Sequence, residues 1–377
     1  MQQLQRVVIR GFRSLREVDF ELGPLTVMVG ANGVGKSNVA SFFDLLSYLF
    51  SGELQLYVGR KGGAGSILHY GPKATPALSA ELRFSAGESY EVRLEFAQPD
   101  RLVFSHEALV ATRSGTQHNV AFKPNRSGGL LESGTLALHR DSSATEPVSV
   151  GLEIISKLKS LQAYHFHDTS PTSPIRAGQD LQRNRYLLAN GGNLAAFLHM
   201  LRSSYPQHYA RILSTVQLAV PYLADLVLEP DALSARTIYL RWRDRSGEYE
   251  YGPHQWSDGS LRMLALVTAL LQPEEFLPRV LVIDEPELGL HPRGISVLAE
   301  LLRYASTKTQ VLVSTQSPRL VAAFEPGEVL VAERREDAAG RGETLLRRLE
   351  AEALASWLEE YDLGQLFEMN VTGGGPA

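Results

Sequence analysis

The chain contains no cysteine, so it has neither a disulfide framework nor a thiolate metal site, and no catalytic thiol. An apolar fraction of 44% over 377 residues is enough for two or three core-sized lobes, which should fold without such staples. Lysine is scarce, seven against thirty arginines. No apolar run approaches the roughly 18 residues of a membrane span, and the opening "MQQLQRVVIR" lacks the basic flank and apolar core of a signal peptide. The expectation is a cytoplasmic protein with no membrane partner. Positive charge is not in excess either. A net charge of −5 and a pI near 6.1 argue against a surface that is basic throughout, while leaving room for a local nucleic-acid patch. No heptad pattern is sustained, which removes long coiled-coil arms, and no internal repeat is present.

What the chain does have is punctuated alternation. "RVVIRGFRSLREVDFEL" and "PLTVMVG" read as short strands, the second running into a glycine-rich turn, and "SNVASFFDLLSYLF" then spaces Val39, Phe42, Phe43, Leu46 and Leu49 as a helix does. Leu78 to Phe84 and Tyr90 to Phe96 alternate apolar and polar residues across a turn at Ala86-Gly87, as two half-buried antiparallel strands would. The polar stretch from about Pro124 to Ser149 reads as a loop ahead of a mostly helical middle, roughly 150–225. From Ile238 onward the pattern is strand, turn, strand in "TIYLRWRDRSGEYEY". A helix over 259–272 follows, then the strand "RVLVIDEP" and a helix–strand alternation that argues for a mostly parallel, covered sheet.

The turn "VGANGVGKSN" matches GxxxxGK[ST] through Gly30, Gly33, Gly35, Lys36 and Ser37. Small residues let backbone N–H groups curl around phosphate oxygens. Lys36 would reach the β and γ phosphates, and the Ser37 hydroxyl would bind Mg²⁺ at a helix N-terminus. The candidate nucleotide-binding set here is Gly30, Ala31, Asn32, Gly33, Val34, Gly35, Lys36, Ser37 and Asn38. Hydrolysis would also need a carboxylate for the metal and a group to aim water. "RVLVIDEPELGLHP" offers Asp284 for Mg²⁺ and Glu285 as general base. Two successive carboxylates at the end of a buried strand are costly unless they serve a cation or partner. Between these halves stands "WSDGSLR", whose Ser257, Asp258 and Gly259 precede a helix. That makes an anion site without its own lysine or, read alone, an ordinary N-cap.

These segments resemble the ABC-type ATPase heads of the RecF and SMC group, and more closely the stand-alone RecF-like ATPases often labelled AAA-type; the resemblance covers essentially the whole chain. It implies a P-loop NTPase of α/β class, with a mostly parallel core sheet, an antiparallel β sub-lobe and a helical sub-lobe; that there is no coiled coil is the expectation from the missing heptads. Within a single head over 1–377, it implies a Walker A and β-rich lobe (1–123), a mainly helical sub-lobe (150–235) and a lobe carrying signature, Walker B and switch (236–377). "GANGVGKS" is then Walker A, "LVIDEPE" Walker B, "SDGSLR" the signature and "ELGLHP" the D-loop. Two heads would pair face to face as a homodimer. Each ATP would lie between one Walker A and the other signature, so that Ser257 and Gly259 touch the partner's γ phosphate. "VLVSTQSPRL" would be the switch, with Gln316 where many such proteins carry histidine. A glutamine there hydrogen-bonds phosphate or orients water but takes up no proton near neutral pH. No glutamine loop is identified around "SILHYGPKATPALS". "YHFHDTSP" and "LLANGGNLAAFLHML" also resemble segments of the RecF-like proteins without a chemistry to assign. His165 and His167 share a face if they lie on a strand, Asp168 follows, and a metal site or a structural pair are both open readings. Arg176, Arg183 and Arg185 are spaced so that they could contact a nucleic-acid backbone or form a solvated or interface face.

Two functions compete. One is an ATP- and Mg²⁺-dependent ATPase dimer acting on DNA in repair or genome maintenance. The other is an ATP-dependent regulator of a separate nuclease or toxin effector of the phage-defence type. A transporter's nucleotide-binding subunit fits worst, because neither an LSGGQ-like signature nor a clear glutamine loop is present.

Overall fold

The computed structural model describes residues 3–85, 87–113, 116–122, 133–135, 146–247, 249–337 and 340–375. Most of the loop expected over 124–149, and Ala86 of the expected turn, lie outside them.

The strand Leu25–Val29 (β3) is buried at every position, as a strand covered on both faces should be. Its sheet also contains Leu161–Tyr164 (β8), Val280–Asp284 (β15), Gln310–Thr315 (β16), Val329–Glu336 (β17) and Gly342–Arg348 (β18). The order is β18-β17-β3-β16-β15-β8. β17, β3, β16, β15 and β8 run parallel, and β18 returns antiparallel beside β17. A second sheet is antiparallel throughout. It contains Leu4–Phe12 (β1), Leu15–Glu21 (β2), Ala77–Phe84 (β4), Ser89–Ala97 (β5), Arg101–Arg113 (β6) and Thr116–Phe122 (β7), ordered β2-β1-β4-β5-β6-β7. β4 and β5 alternate buried and part-exposed residues as their sequence pattern requires.

The helix Lys36–Ser51 (α1) lies between the two sheets. Its Val39, Phe42, Phe43, Leu46 and Leu49 share one core with Met28, Val282 and Leu312 of the parallel sheet and with Leu78, Leu82 and Tyr90 of the antiparallel one. Successive side chains on a strand face opposite ways. Val27, Leu281, Ile283 and Val313 accordingly enter a second core with Leu194–Ser204 (α5), Pro206–Ala219 (α6), Asp258–Leu271 (α7) and Pro292–Ser306 (α8). Short helices Leu54–Arg60 (α2) and Ala64–Ile67 (α3) follow α1. Glu146–Lys159 (α4) leads into β8, and Pro318–Val321 (α9), Ala351–Leu358 (α10) and Leu363–Glu368 (α11) complete the helices described.

Two details depart from the sequence pattern. The middle stretch is not all helix, because the four-residue β8 joins the core sheet, and an apolar run that short carries no usable period. "TIYLRWRDRSGEYEY" also divides between two sheets. Ser234–Ile238 (β12) pairs with Pro230–Asp231 (β11) and Gln179–Asp180 (β9), whereas Arg241–Asp244 (β13) pairs with Leu223–Val227 (β10) and Glu250–Tyr251 (β14). No described helix is long and apolar enough to cross a membrane.

Candidate nucleotide site

The parallel sheet delivers its loops to one edge. The glycine turn leaves β3, Gln316 leaves β16, Asp284 and Glu285 leave β15, and His165 leaves β8, in that spatial order. The C-terminal edge of a parallel sheet is where α/β folds bind their ligands. Register keeps the groups level, with Thr315 opposite Val29 and Ser314 opposite Asp284.

Within the glycine turn, Gly33 and Gly35 have φ of 80° and 108°, a region that favours glycine. Gly35 is wedged against Ser14 and Thr344, where a Cβ would collide with both hydroxyls. Thr344 Oγ1 donates to the Val34 carbonyl at 2.7 Å, and Asn38 Nδ2 donates to Ser14 Oγ at 2.7 Å, so both side chains brace the turn. α1 begins at Lys36 without any side-chain cap, and of its first N–H groups that of Asn38 donates to the Gly35 carbonyl at 3.0 Å. Asn32, Gly33 and Ser37 are exposed. The Lys36 ammonium is buried and donates to the Gly30 and Ala31 carbonyls at 2.7 and 2.9 Å. Burial pushes its pKa below the ordinary lysine value, while Glu285, Asp284 and Glu287 pull it back up. Beside the turn is a cavity of about 480 Å³, bounded by Arg13, Ser14, Val34, Tyr70 and Thr344, wide enough for a nucleoside.

Asp284 accepts from the Ser314 hydroxyl. Glu285 is held at φ 40°, a left-handed conformation uncommon for a side chain of its size, and its N–H is pinned to the Ser314 carbonyl at 2.8 Å. Both carboxylates are half-buried. Glu287, to which the sequence reading gave no role, is buried. One of its oxygens accepts from Thr315 Oγ1 at 2.5 Å and from the Gln316 N–H at 3.3 Å, and the other has no partner. Burial raises its pKa above the usual carboxylate value. The sequence signal was the third carboxylate of "DEPE". Ser37 and Asp284 supply a hydroxyl and a carboxylate, hard donors that suit Mg²⁺, an ion that takes few protein oxygens and completes its shell with phosphate and water. The residues therefore fit that ion, although among the described residues no group of three or more His, Asp or Glu is arranged to hold a metal by itself.

Charge interactions thus link Lys36 to Asp284, Glu285 and Glu287, and a hydrogen bond links Glu287 to Gln316, while Ser257, Asp258 and Gly259 make their contacts with other partners. Ser257 caps α7, accepting from the Ser260 N–H at 3.2 Å. Asp258 pairs with Arg176 at 2.8 Å. A methyl on Gly259 would run into the Gly289 carbonyl, so α7 is seated against the turn that follows Glu287. Arg262 donates to Leu288, Phe166 and His167 carbonyls and ties that turn to the chain beyond β8. Among the described residues no hydrogen bond or ion pair joins Ser257, Asp258 or Gly259 to the glycine turn.

His165 and His167 lie in irregular chain beyond the end of β8, both half-buried and flanking the buried Phe166. Burial lowers the His165 pKa, against the pull of Asp44 and Asp284. Arg176 is buried, with its guanidinium spent on the Thr169, Pro253 and Trp256 carbonyls and on Asp258, which withdraws it from any solvent-facing row. Arg183 and Arg185 are exposed.

A family model described as "AAA domain, putative AbiEii toxin, Type IV TA system" matches residues 25–322. An OLD nuclease of Thermus scotoductus is 44% identical over 43 residues, a match spanning 11% of this chain and 8% of that protein. Among solved structures, an Smc head bound to the C-winged helix domain of ScpA superposes with a TM-score of 0.59 at 16% identity, covering 93% of this chain and 99% of that one. An Smc head of Pyrococcus furiosus bound to the C-terminal domain of ScpA gives 0.56 at 14% identity, and one of Pyrococcus yayanosii 0.53 at 12%. Each covers 96% of this chain and 99% of the other. At these identities the likeness speaks for the fold, the α/β P-loop head with its antiparallel sub-sheet; no coiled coil is formed among the described residues.

Proposed function

This chain belongs to that AAA-domain family and has the SMC-head fold, and from this premise we propose that it binds ATP with Mg²⁺ and hydrolyses it to ADP and phosphate. The observation that carries the reading is the Lys36 ammonium, parked on the loop's own carbonyls and flanked by Glu285, Asp284 and Glu287. A cation so placed can exchange carbonyl oxygens for phosphate oxygens.

The α1 amides and Lys36 bind and orient the phosphates, and the cavity beside the turn takes the nucleoside. Mg²⁺, held by the Ser37 hydroxyl and Asp284, would neutralise phosphate charge. Glu285 accepts a proton from water as its oxygen attacks the γ phosphorus and the bond to the β–γ bridging oxygen breaks. Gln316, whose backbone is tied to Glu287, donates to a phosphate oxygen or aims the water. In this reading Ser257 and Gly259, which among the described residues make no hydrogen bond to the glycine turn of their own chain, contact the phosphate of a second copy, making ATP the bond between two heads. In the first reading the closed dimer acts on DNA. The second, an ATP-gated regulator of a separate nuclease or toxin, draws support from the family description and the OLD nuclease likeness, and from the burial of Arg176, which removes one arginine from the DNA argument.

The test is the solution mass of Glu285→Gln by light scattering, with and without Mg-ATP. A monomer that doubles in mass only with Mg-ATP is expected, and Ser257→Arg on the same background should bind nucleotide but stay monomeric. A mass indifferent to ATP, with binding verified, would sink the shared site. Salt-sensitive duplex binding would favour the first role; recovery of a bound effector without DNA affinity would favour the second.

A further inference from the structure

After α11 the chain forms a strap, Asn370–Gly375, that crosses β17 and reaches the glycine turn. The Ala31 N–H donates to the Gly374 carbonyl at 2.6 Å. Gly374 has φ 73°, and a Cβ added there would lie 2.7 Å from Val331 Cγ1 and 3.4 Å from Gly30 Cα, so glycine alone fits without displacement. The strap is held along its length. Arg347 donates to the Thr372 carbonyl at 2.8 Å, Thr372 is buried, and the Gly375 N–H donates to Asn370 Oδ1 at 2.9 Å. At its other end, α11 packs on α9, which starts two residues after Gln316. A methyl on Gly364 would run into the Pro318 carbonyl there.

These contacts form a chain that ends at Lys36. Gly374 fixes the Ala31 N–H on one side of the residue, and the Ala31 carbonyl receives the Lys36 ammonium on the other. A displaced strap frees Ala31, and a freed Ala31 no longer places the lysine. We propose that Asn370–Gly375 is a positioning element for the phosphate loop, holding it in phosphate-receiving form through Ala31 and linking it to the segment that carries Gln316. The inference rests on the reading of the loop as an ATP site. Preorganisation of this kind lowers the ordering cost of binding, and once bound the phosphates themselves hold the loop. The strap should therefore act on affinity and leave turnover at saturation unchanged.

The experiment uses the full chain and a fluorescent N-methylanthraniloyl-ATP. Its Kd is read by titration, kcat and KM by phosphate release, and folding by thermal melting. Gly374→Val should raise Kd and KM together by about tenfold, with kcat within about twofold of the parent, the scale of one lost hydrogen bond. Arg347→Ala, a change at a half-exposed side chain, should shift Kd the same way by about threefold, and Arg347→Lys should restore it. If Gly374→Val does not fold, the Arg347 pair decides. Folded variants with an unchanged Kd overturn the proposal, and so does a loss of kcat and Kd that merely follows a lowered melting temperature. Failure of the parent chain to bind the probe overturns the ATP reading instead.

Discussion

Two helices present their N-termini as candidate phosphate seats, and they are finished in opposite ways. α1 begins after Gly35 with no side-chain cap and with a lysine at its first position. α7 begins after Ser257, whose hydroxyl already accepts from the Ser260 N–H, and carries Asp258 in its first turn. An uncapped helix start leaves orphan donors and a positive dipole end to be satisfied by something else. At α7 the serine cap already takes one such donor, the Ser260 N–H, and Arg176 pairs with the first-turn Asp258. In the proposed function the first terminus is completed by phosphate. The second is stable alone, and an anion reaching it must arrive from outside and compete with its own cap.

The largest expected effect tests the chemistry that only the first seat has beside it. Glu285→Gln should lower phosphate release by roughly 10²- to 10⁴-fold, the range for loss of a positioned base, while leaving ATP binding intact. Normal turnover by this variant would remove Glu285 as the base. Next come paired substitutions at the two seats. Lys36→Ala should weaken ATP binding by about 10- to 100-fold, since a charge-assisted contact is lost, whereas Ser257→Ala in a monomeric sample should leave it within about twofold. Equal losses in a binding titration would mean that both termini serve one nucleotide in one chain, and the contrast between them would be broken. A smaller effect separates the arginines. Arg176→Ala should lower stability by about 1–3 kcal/mol because several buried acceptors lose their donor, and Arg183→Ala by less than about 0.5 kcal/mol, both read from urea midpoints.

The difference between the seats also governs what could be read in advance. At α1 the chemistry is local. The motif proposed to bind phosphate puts Gly33, Gly35, Lys36 and Ser37 at fixed spacing, and the strand before it and helix after it, both read from the sequence, are the ones the structure has. The acidic end of β15 is legible for the same reason. What sets the surroundings is not local. Thr344 braces Gly35 from 309 positions away, Gly374 fixes Ala31 from still further, and no periodicity reports either contact. Arg176 looked like a solvent-facing cation because composition records charge and not burial. β8 was hidden because four apolar residues suit helix and strand alike. Glu287 was in view within "DEPE", but its contacts are with Thr315, the last residue of the neighbouring strand, and Gln316 just beyond it, which the pairing of β15 with β16 brings beside it.

The smallest effect divides the two duties assigned to Ser257. As an N-cap it holds the Ser260 N–H, and an aspartate holds that group as well as a serine does, whereas alanine does not. Ser257→Ala should therefore cost α7 about 1 kcal/mol, and Ser257→Asp less than about 0.5 kcal/mol, by thermal or urea melting. As a contact for a partner's γ phosphate the order changes. Aspartate places a second negative charge beside Asp258 where a polyanion must dock, and that repulsion should abolish ATP-driven pairing in a protein as stable as the parent. Alanine should only weaken pairing. If Ser257→Asp still doubles in mass with Mg-ATP on the Glu285→Gln background, the hydroxyl is a cap and nothing more, and α7 presents no phosphate seat to a second copy.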